Sequence, residues 1–473
     1  MEEKITLERM AYGADAVGHL PDGKVVFVQG ALPQDTGVVT ITENKATMAK
    51  ADLTELITPS PYRVVSPCVF GAYSCEDPSR LRCGGCPWQD LASNAQAVAK
   101  RSTVVESLAR IGSVDAQRAE TLVGDIATSS RQWGFRNKVE LAATHAPQTG
   151  FKLGYYAANS HDIVNIAECK AAVKPLQKAP KALSGALRYL QNSNDLGIFR
   201  VGVRASLRTS SVEIALWTTP GAFPRAAVAK TLTSALPATS IVRVMAHPGK
   251  ERKIKGTEVL AGDGFWKEKL GKATFAVSAP SFFQVNSEQA EVMTHLVLEA
   301  LTCNLESNAL FAPGEEGRKS TFDPGAYDAL SGKMIADLYS GCGTFSIPLA
   351  QTGAQVVAVE SAASSVRDLR RNASLNHVSV EVIGGDTARE LPALGELDAL
   401  VVDPPRAGLA DGVVESIAAA HPARVVYVSC NPTTWARDVA RFEKNGFQLR
   451  GAVPVDLFPQ TYHVEVVSVF THE

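Results

Sequence analysis

Short apolar runs separated by turn residues occupy the beginning of the chain. Residues 25–28 and 37–42 are two such runs, and a turn containing Pro and Asp precedes each of them. Strands this short between turns predict a small β-barrel. We therefore expect a first domain over residues 1–62.

The middle of the chain mixes two periodicities. Residues 201–208 and 211–217 alternate as strands do, whereas residues 95–111 repeat apolar side chains at helical spacing. The first pattern predicts strands and the second predicts an amphipathic helix. We therefore expect a mixed α+β domain over residues 63–272.

In the last part of the chain an apolar strand, a glycine turn, a helix and a second apolar strand follow one another. This order predicts a βαβ nucleotide-binding unit. Ser346 stands where a dinucleotide-binding fold has its third glycine, and Asp337 comes just before the turn. Both departures favour S-adenosylmethionine over NAD. The expected class is α/β, with a Rossmann-like S-adenosylmethionine-dependent methyltransferase domain over residues 273–473.

Two acidic residues follow later strands of this unit. Glu360 ends the second strand nineteen residues after Gly341, close to the offset of about 20 residues at which a carboxylate meets ribose hydroxyls. Asp386 follows the third strand, where such folds approach the adenine, although an aspartate there serves nearly as well as a helix cap. Both residues are candidate cofactor ligands.

Two further strands are followed by residues that could take part in catalysis. Asp403-Pro404-Pro405-Arg406 follows one strand, and Ser429-Cys430-Asn431-Pro432 follows the next. Open α/β sheets bind ligands at the carboxyl ends of their strands, and proline stiffens the turns there. A lone cysteine at a strand end is usually structural, but its pairing with the Asp-Pro-Pro-Arg run makes Cys430 a candidate nucleophile.

Four cysteines lie within nineteen residues, at positions 68, 75, 83 and 86. The Gly-Gly pair between Cys83 and Cys86 permits a tight turn that aims both thiolates at one metal. Four thiolates suit either tetrahedral zinc or an iron-sulfur cluster, and the spacing alone favours zinc.

Composition and charge narrow the class of protein. The chain has 473 residues, of which 45% are hydrophobic and 20% are charged, so a folded protein of several domains is expected. No signal peptide or bilayer-length apolar run is visible, which predicts a cytoplasmic protein without a membrane partner and with reduced cysteines. The net charge of -2 hides segment charges of -4 for residues 1–60, +13 for 61–272 and -11 for 273–473.

The basic middle segment suggests a polyanionic partner, with unrelated solvated faces as an equally good interpretation. Within it, Phe135-Arg136-Asn137-Lys138 combines an aromatic ring with cations, which suits base stacking and phosphate pairing. A solvated strand edge accounts for this segment about as well.

Several motifs together resemble the RNA uracil-C5 methyltransferases, which form 5-methyluridine in transfer or ribosomal RNA. The resemblance runs from Ile5 to the C-terminus, and the first 60 residues resemble a TRAM domain, a small RNA-binding barrel. The motifs are CGGC-x-x-Q at 83–89, FFQVN at 282–286, DPPR-x-G at 403–408, SCNP at 429–432 and F-P-x-T-x-H-V-E at 458–465.

The resemblance favours a [4Fe-4S] cluster over zinc as the bound metal group, and zinc is kept as the alternative. It implies ligation by Cys83, Cys86, the remote Cys169 and one earlier cysteine. Cys68 is favoured as that ligand, because residues 67–71 resemble the start of the family's motif. Cys75 is kept as a substitute or bystander, because fourteen residues separate Cys68 from Cys83 where the family has far fewer.

For the reaction, the resemblance implies that Cys430 adds to uracil C6 and that Glu465 removes the C5 proton. Asp403 joins them as a catalytic candidate, and His463 is a rival base on chemical grounds. Phe282 is expected near the target base. The candidate cofactor residues are Gln284, Tyr339, Gly341, Gly343, Thr344, Glu360, Asp386 and Asp403.

We therefore expect a monomeric RNA (uracil-5-)-methyltransferase. Ribosomal RNA, specifically 23S, is the favoured substrate by family association, and transfer RNA is the alternative. An exocyclic-amine methyltransferase is disfavoured because Arg406 replaces the aromatic residue of its motif. A metal-stabilised RNA-binding protein without activity is disfavoured by the intact cofactor turn. Residues 302–328 are expected to form an inserted surface loop.

Overall fold

A computed structural model of the protein describes residues 2–146, 150–191, 195–249, 253–303 and 324–472. Most of the predicted insertion at 302–328 lies outside the described residues, and its end is a 3-10 segment at Pro324–Leu330. No helix in the described part of the chain is long and apolar enough to cross a membrane.

Residues 2–58 fold as a closed β-barrel with the strand order β1-β2-β3-β5-β4. The strands are β1 (Glu2–Met10), β2 (Ala16–His19), β3 (Val25–Gln29), β4 (Thr36–Asn44) and β5 (Met48–Thr58). Alternate side chains such as Val26 and Val28 fill the interior. Trp88 and Leu91 from beyond the barrel complete this core. The predicted barrel is confirmed.

Two helices follow the cysteine-rich segment and pack on the C-terminal part of the chain. They are α1 (Ser93–Arg110) and α2 (Ala116–Leu122). Val104 and Leu108 of α1 are fully buried in one core with Trp435 and Phe442. Residues from the predicted middle domain thus supply part of the core of the last one.

The middle of the chain forms a mixed sheet with the order β12-β11-β10-β9-β6-β7-β8. Its strands are β6 (Lys138–Ala146), β7 (Gly150–Tyr156), β8 (Ile163–Val164), β9 (Ile198–Ala205), β10 (Val212–Thr218), β11 (Ser240–Met245) and β12 (Gly256–Gly262). Helices α3 (Ala179–Leu190) and α4 (Arg225–Ala235) share its hydrophobic core. Every residue of β10 is buried, because this strand lies inside the sheet.

A hairpin and a helix connect this sheet to the last one. The hairpin consists of β13 (Trp266–Leu270) and β14 (Ala273–Val277), and the helix is α5 (Ser287–Thr302). The Asn286 side chain caps α5 by accepting a hydrogen bond from the Gln289 backbone N–H. The FFQVN segment therefore lies between a buried hairpin and a capped helix.

The C-terminal sheet has the order β17-β16-β15-β18-β19-β21-β20. Its strands are β15 (Met334–Leu338), β16 (Gln355–Glu360), β17 (Val380–Gly384), β18 (Ala399–Val402), β19 (Arg424–Ser429), β20 (Phe447–Val455) and β21 (Glu465–His472). Its helices are α6 (Ser346–Gln351), α7 (Ala363–Leu375), α8 (Thr387–Glu390), α9 (Val413–Ala419) and α10 (Pro432–Lys444). Strands β15 to β19 run parallel, while β21 is antiparallel to β19 and to β20.

One buried ion pair joins α1 to the segment that precedes the HVE motif. The Lys100 ammonium donates to the Asp456 carboxylate and to the Phe458 carbonyl oxygen, at 3.0 Å from the latter. Neither side chain has appreciable solvent exposure. Burial lowers the pKa of Lys100, and the Asp456 carboxylate opposes that shift.

We predict that Lys100→Met lowers the free energy of unfolding by about 3 to 5 kcal/mol, because Asp456 would remain buried without a partner. Urea unfolding followed by circular dichroism measures this change. The matched control is Lys333→Met, whose pair with Asp398 is solvent-exposed and should matter by less than about 1 kcal/mol. Equal effects of the two variants would contradict the prediction.

Candidate active site and cysteine cavity

The turn after β15 is held by the carboxylate at the end of β16. Glu360 accepts hydrogen bonds from the Gly341 N–H at 2.9 Å and the Ala362 N–H at 2.6 Å. Gly341 and Gly343 have φ values of 57° and 96°, a region that favours glycine. A Cβ on Gly343 would lie 2.5 Å from Leu369 Cδ1. Both glycines are therefore required by the path of the turn.

A buried carboxyl group lies beneath this turn. Asp337 is fully buried and accepts a hydrogen bond from the Ser346 hydroxyl. Burial raises the pKa of Asp337 to about 7. Ser346 thus has a structural reason to replace glycine, since it satisfies one oxygen of this carboxyl group. Tyr339 begins the turn with a φ of 62°, an unusual value for a side chain of that size.

The predicted cofactor residues outside the turn have distinct environments. Asp386 caps α8 by accepting a hydrogen bond from the Ala388 N–H at 3.1 Å. Gln284 is 6% exposed, and its side-chain oxygen has no hydrogen-bond partner among the described residues. A buried acceptor without a partner is the feature expected of a ligand-binding side chain. The structure therefore supports a helix-cap role for Asp386 and leaves Gln284 free for a ligand.

The two phenylalanines of the FFQVN segment differ in their solvent exposure. Phe283 is buried against Trp266 and Phe275, with ring centroids 5.5 and 5.4 Å away. Phe282 is 62% exposed, and its carbonyl oxygen lies 3.4 Å from the Cys342 sulfur in the glycine turn. An exposed aromatic ring is thus held next to the cofactor turn.

The DPPR and SCNP loops are joined by hydrogen bonds. Asn431 Nδ2 and Thr434 Oγ1 donate to the Arg406 carbonyl oxygen at 3.2 and 3.1 Å. Asn431 also caps α10, which starts at Pro432, two residues after Cys430. The thiol is therefore fixed at a helix N-terminus, where the backbone dipole favours a negative charge.

The electrostatic couplings bring the three predicted catalytic residues together. Burial, together with the charges of Glu465 and Asp403, raises the pKa of Cys430 to about 12, against the opposing charge of Arg406. Burial raises the pKa of Glu465 to about 7, again against Arg406. Burial, Glu465 and Asp337 hold the pKa of Asp403 well above its usual 3.8. Cys430 and Glu465 thus share the charge of one guanidinium, and Asp403 is coupled to Glu465.

The segment between β20 and β21 is anchored by the N-terminal half of the chain. Gln96 and Gln460 exchange two hydrogen bonds of 2.9 Å, and the Trp88 N–H donates to the Gln460 carbonyl oxygen at 3.0 Å. His463 in this segment has its pKa lowered to about 4, first by burial and then by Arg406. The His463 imidazole is therefore neutral near pH 7, and its unprotonated ring nitrogen can accept a proton.

Four cysteines line one cavity. They are Cys68, Cys83, Cys86 and Cys169, and other lining residues include Gln89, Trp133, Arg136 and Tyr155. Cys75 instead packs against the barrel core. This arrangement favours Cys68 over Cys75 as the first ligand. In the part of the chain that is described, no three His, Cys, Asp or Glu side chains are placed to hold a metal ion.

The cavity has two features that fit a bound inorganic group. Both side-chain polar atoms of Gln89 are buried without a partner among the described residues. Burial raises the pKa of Cys83 to about 11, while the Arg136 charge opposes that shift. Buried thiols beside a cation, lining one space, are suited to a positively charged centre that converts them to thiolates.

The predicted aromatic and cationic segment at 135–138 is mostly internal. Phe135 and Asn137 are 7% and 3% exposed, and Arg136 lines the cysteine cavity. Lys138 pairs with Glu140 at 3.0 Å. The expected base-stacking surface at this segment is therefore wrong, because the chain passes here between the middle sheet and the FFQVN loop.

Exposed cations of the basic middle segment lie elsewhere, on and just before α3. They are Lys174, Lys178, Lys181 and Arg188. None of the four has an ion-pair partner among the residues that the structure describes. Their charges are available to a polyanion.

Sequence reasoning missed two residues that reach the catalytic centre from the N-terminal half. Tyr12 of the barrel packs its ring on Tyr462, at a centroid distance of 5.6 Å. Trp88 bonds both to the Gln460 carbonyl oxygen and, through its indole N–H, to the Gly13 carbonyl oxygen at 2.9 Å. The contacts with Tyr462 and Gln460 join residues hundreds of positions apart, so no local pattern could have indicated them.

Family models match both ends of the chain. The model described as tRNA (Uracil-5-)-methyltransferase matches residues 394–472, and the TRAM domain model matches residues 2–54. A TRM5/TYW2 methyltransferase domain model matches residues 325–409. The TRAM match agrees with the observed barrel.

Whole-chain relatives and a solved structure extend these matches. An uncharacterized RNA methyltransferase of Gloeobacter violaceus is 32% identical, covering 98% of this chain and 95% of the relative. One of Listeria innocua is 30% identical, covering 99% and 97%. The structure of tRNA (uracil-54, C5)-methyltransferase from Pyrococcus abyssi, in complex with S-adenosyl-L-homocysteine, matches with a TM-score of 0.71 at 24% identity, covering 99% of this chain and 100% of that one.

The fold and the relatives define a class of enzyme, the S-adenosylmethionine-dependent RNA methyltransferases. Within that class, the chain belongs to the RNA uracil-5-methyltransferase family and carries its TRAM domain. The fold and activity class predicted from the sequence are confirmed.

We predict that Gly343→Ala weakens S-adenosylmethionine binding roughly 10- to 100-fold, because the new Cβ meets Leu369 and requires a strained φ. Isothermal titration calorimetry measures the affinity. Gly395→Ala is the matched control, because Gly395 has a φ of 77° but nothing within 4 Å of its added Cβ. A Gly343→Ala affinity equal to the parent's would show that the turn is not the cofactor site.

Proposed function

We propose that the protein methylates C5 of a specific uridine in RNA through a covalent bond between Cys430 and C6 of the uracil ring. The observation that carries this proposal is the placement of Cys430, Asp403 and Glu465 at the adjoining ends of the neighbouring strands β19, β18 and β21, where the charges of Glu465, Asp403 and Arg406 act on the Cys430 thiol. A nucleophile, a base and a cation are the groups that this chemistry needs.

Cys430 begins the reaction as the thiolate. Arg406 and the N-terminus of α10 favour the negative charge that burial opposes. The sulfur adds to C6, and the electron pair of the C5–C6 bond moves toward O4, so that C5 becomes nucleophilic. Burial and Glu465 raise the pKa of Asp403, and in its protonated form this carboxyl group can donate a hydrogen bond to the oxygen on which the charge develops.

S-adenosylmethionine, when bound, supplies an electrophilic methyl group to C5. The residues proposed to hold it are Gln284, Tyr339, Gly341, Gly343, Thr344, Glu360, Asp386 and Asp403. The unpartnered Gln284 oxygen and the fixed Glu360 carboxylate support this assignment.

Glu465 completes the turnover as the general base. Its carboxylate removes the proton from C5, the C5–C6 double bond reforms, and the Cys430 sulfur leaves as thiolate. A pKa near 7 suits a base that works near neutral pH. His463 is neutral and remains the rival base, while the burial of Glu465 beside Cys430 favours the glutamate.

We propose 23S ribosomal RNA as the substrate, with transfer RNA as the second candidate. The TRAM domain and cysteine motif are the basis for the first, whereas the structural similarity to the tRNA (uracil-54, C5)-methyltransferase of Pyrococcus abyssi favours the second. Mapping 5-methyluridine by mass spectrometry in ribosomal and transfer RNA from a deletion strain separates them.

We further propose that the enzyme acts as a cytoplasmic monomer with three domains at 1–62, 63–272 and 273–473. The packing of α1 and α2 on the C-terminal core supports one tightly joined unit. Sedimentation at micromolar concentration tests the monomer.

We also propose that Cys68, Cys83, Cys86 and Cys169 hold a [4Fe-4S] cluster. A single zinc ion needs its thiolates to converge at about 2.3 Å from one point. In a cubane each thiolate binds its own iron, so four cysteines around a shared cavity fit the cluster better.

The cluster proposal predicts about four iron atoms and a brown colour in anaerobically purified protein. Cys68→Ser should lose most of the iron, whereas the matched Cys75→Ser should retain it, because Cys75 faces the barrel. Metal analysis measures both. Stoichiometric zinc without iron, or iron loss only in Cys75→Ser, would overturn the assignment.

The covalent mechanism predicts a stable protein–RNA adduct with RNA that contains 5-fluorouridine, because Glu465 cannot remove fluorine from C5. The probe is total RNA from a deletion strain grown with 5-fluorouracil, and denaturing gels detect the complex. Cys430→Ala should abolish the adduct, whereas Cys303→Ala, a control thiol, should form it. If the Cys430→Ala variant still formed the adduct, another residue would be the nucleophile, and Cys342 would be the next candidate.

The pKa of Glu465 predicts the pH dependence of turnover. A base is active when deprotonated, so the elimination step, in which Glu465 acts after Cys430 has added to the ring, should slow about tenfold per pH unit below pH 7 and level off above it. Single-turnover methylation between pH 5 and 9 measures the profile, with S-adenosylmethionine affinity measured alongside as the control. A midpoint near 4.5, the usual glutamate value, would contradict the role of the buried carboxyl group.

A further inference from the structure

A loop of the barrel reaches the catalytic centre. Tyr12 lies between β1 and β2, and its ring meets the Tyr462 ring edge-on, with centroids 5.6 Å apart and planes at 86°. Tyr462 in turn packs against the His463 ring at 4.3 Å. Tyr12 is therefore in contact with the segment that carries the proposed base.

The surroundings of the Tyr12 hydroxyl come from all three catalytic loops. Burial raises the pKa of Tyr12 to about 12, and the charges that act on it are those of Arg406, Tyr462, Cys430 and Glu465. These residues belong to the DPPR, SCNP and HVE motifs. The hydroxyl is thus neutral, and the charges that act on it come from the catalytic loops.

The loop is held in place before any substrate arrives. The Ala11 N–H donates to the Asp15 carbonyl oxygen at 2.9 Å, closing the loop. The indole N–H of the buried Trp88 donates to the Gly13 carbonyl oxygen at 2.9 Å. The backbone N–H of Trp88 holds Gln460. One residue therefore fixes both the loop of Tyr12 and the segment of Tyr462.

Despite these contacts, Tyr12 is 39% exposed. The ring therefore keeps an open surface beside the Tyr462 segment, with room for a further stacking partner. An uncovered aromatic ring on a rigid support is the usual platform for an unstacked nucleobase. A base that leaves its stack needs such a surface to offset the cost of unstacking.

We propose that Tyr12 is a substrate-binding residue that stacks on the flipped pyrimidine nucleotide, so that the TRAM barrel completes the uridine pocket. This inference rests on the proposed uridine methylation. It assigns the barrel a role in the reaction site itself, in addition to any contact with distant RNA.

The test compares full-length parent, Tyr12→Ala, Tyr12→Phe and Ile57→Ala, using unmodified total RNA from a deletion strain as methyl acceptor. Tyr12→Ala should lower kcat/KM roughly 10- to 100-fold through loss of stacking. Tyr12→Phe, which keeps the ring, should stay within about threefold of the parent. Ile57 is a 41% exposed barrel residue on β5 and serves as the control.

Two further measurements separate binding from folding. S-adenosylmethionine affinity and thermal unfolding should be unchanged in Tyr12→Ala, and formation of the 5-fluorouridine adduct should slow in parallel with kcat/KM. Parental kcat/KM in Tyr12→Ala would overturn the inference, as would equal losses in Tyr12→Ala and Tyr12→Phe. If the parent methylates no RNA, the proposed function fails instead.

Discussion

The anchoring of residues 456–463 by the N-terminal half is the constraint on which the site depends. Lys100 binds Asp456 and the Phe458 carbonyl oxygen inside the protein, and Gln96 pairs with Gln460. This segment leads directly into β21, whose first residue is Glu465. The C-terminal sheet alone would leave this segment unsupported. Helix α1, which follows the cysteines, therefore positions the segment that leads to Glu465.

Burial raises the pKa values of the proposed catalytic acids and so opposes their ionisation. Cys430, Glu465 and Asp403 are three acidic groups with raised pKa values, and Arg406 is the cation that opposes the rise at Cys430 and Glu465. Such a site cannot ionise all its acids at once. Sequential use of thiolate and carboxylate, as proposed for the addition and elimination steps, matches this limit.

The cysteine-rich segment is connected by hydrogen bonds to the segment that leads to Glu465. Trp88 follows Cys86 by two residues and bonds to both the barrel loop and the Gln460 segment. A rigid inorganic centre at the four cysteines would therefore also stiffen the walls of the uridine pocket. This gives a structural reason for a cluster in an enzyme whose proposed chemistry transfers no electrons.

The sequence by itself determined the features that are local. Strand periodicity followed by Asp403 or Cys430 placed both residues at parallel strand ends, and short runs between turns gave the barrel. Tertiary structure alone decided that Cys68, not Cys75, lines the cavity, that Arg136 faces inward, and that Tyr12 meets Tyr462. Such contacts join distant residues through the packing of separate domains, and packing leaves no period or spacing in the chain.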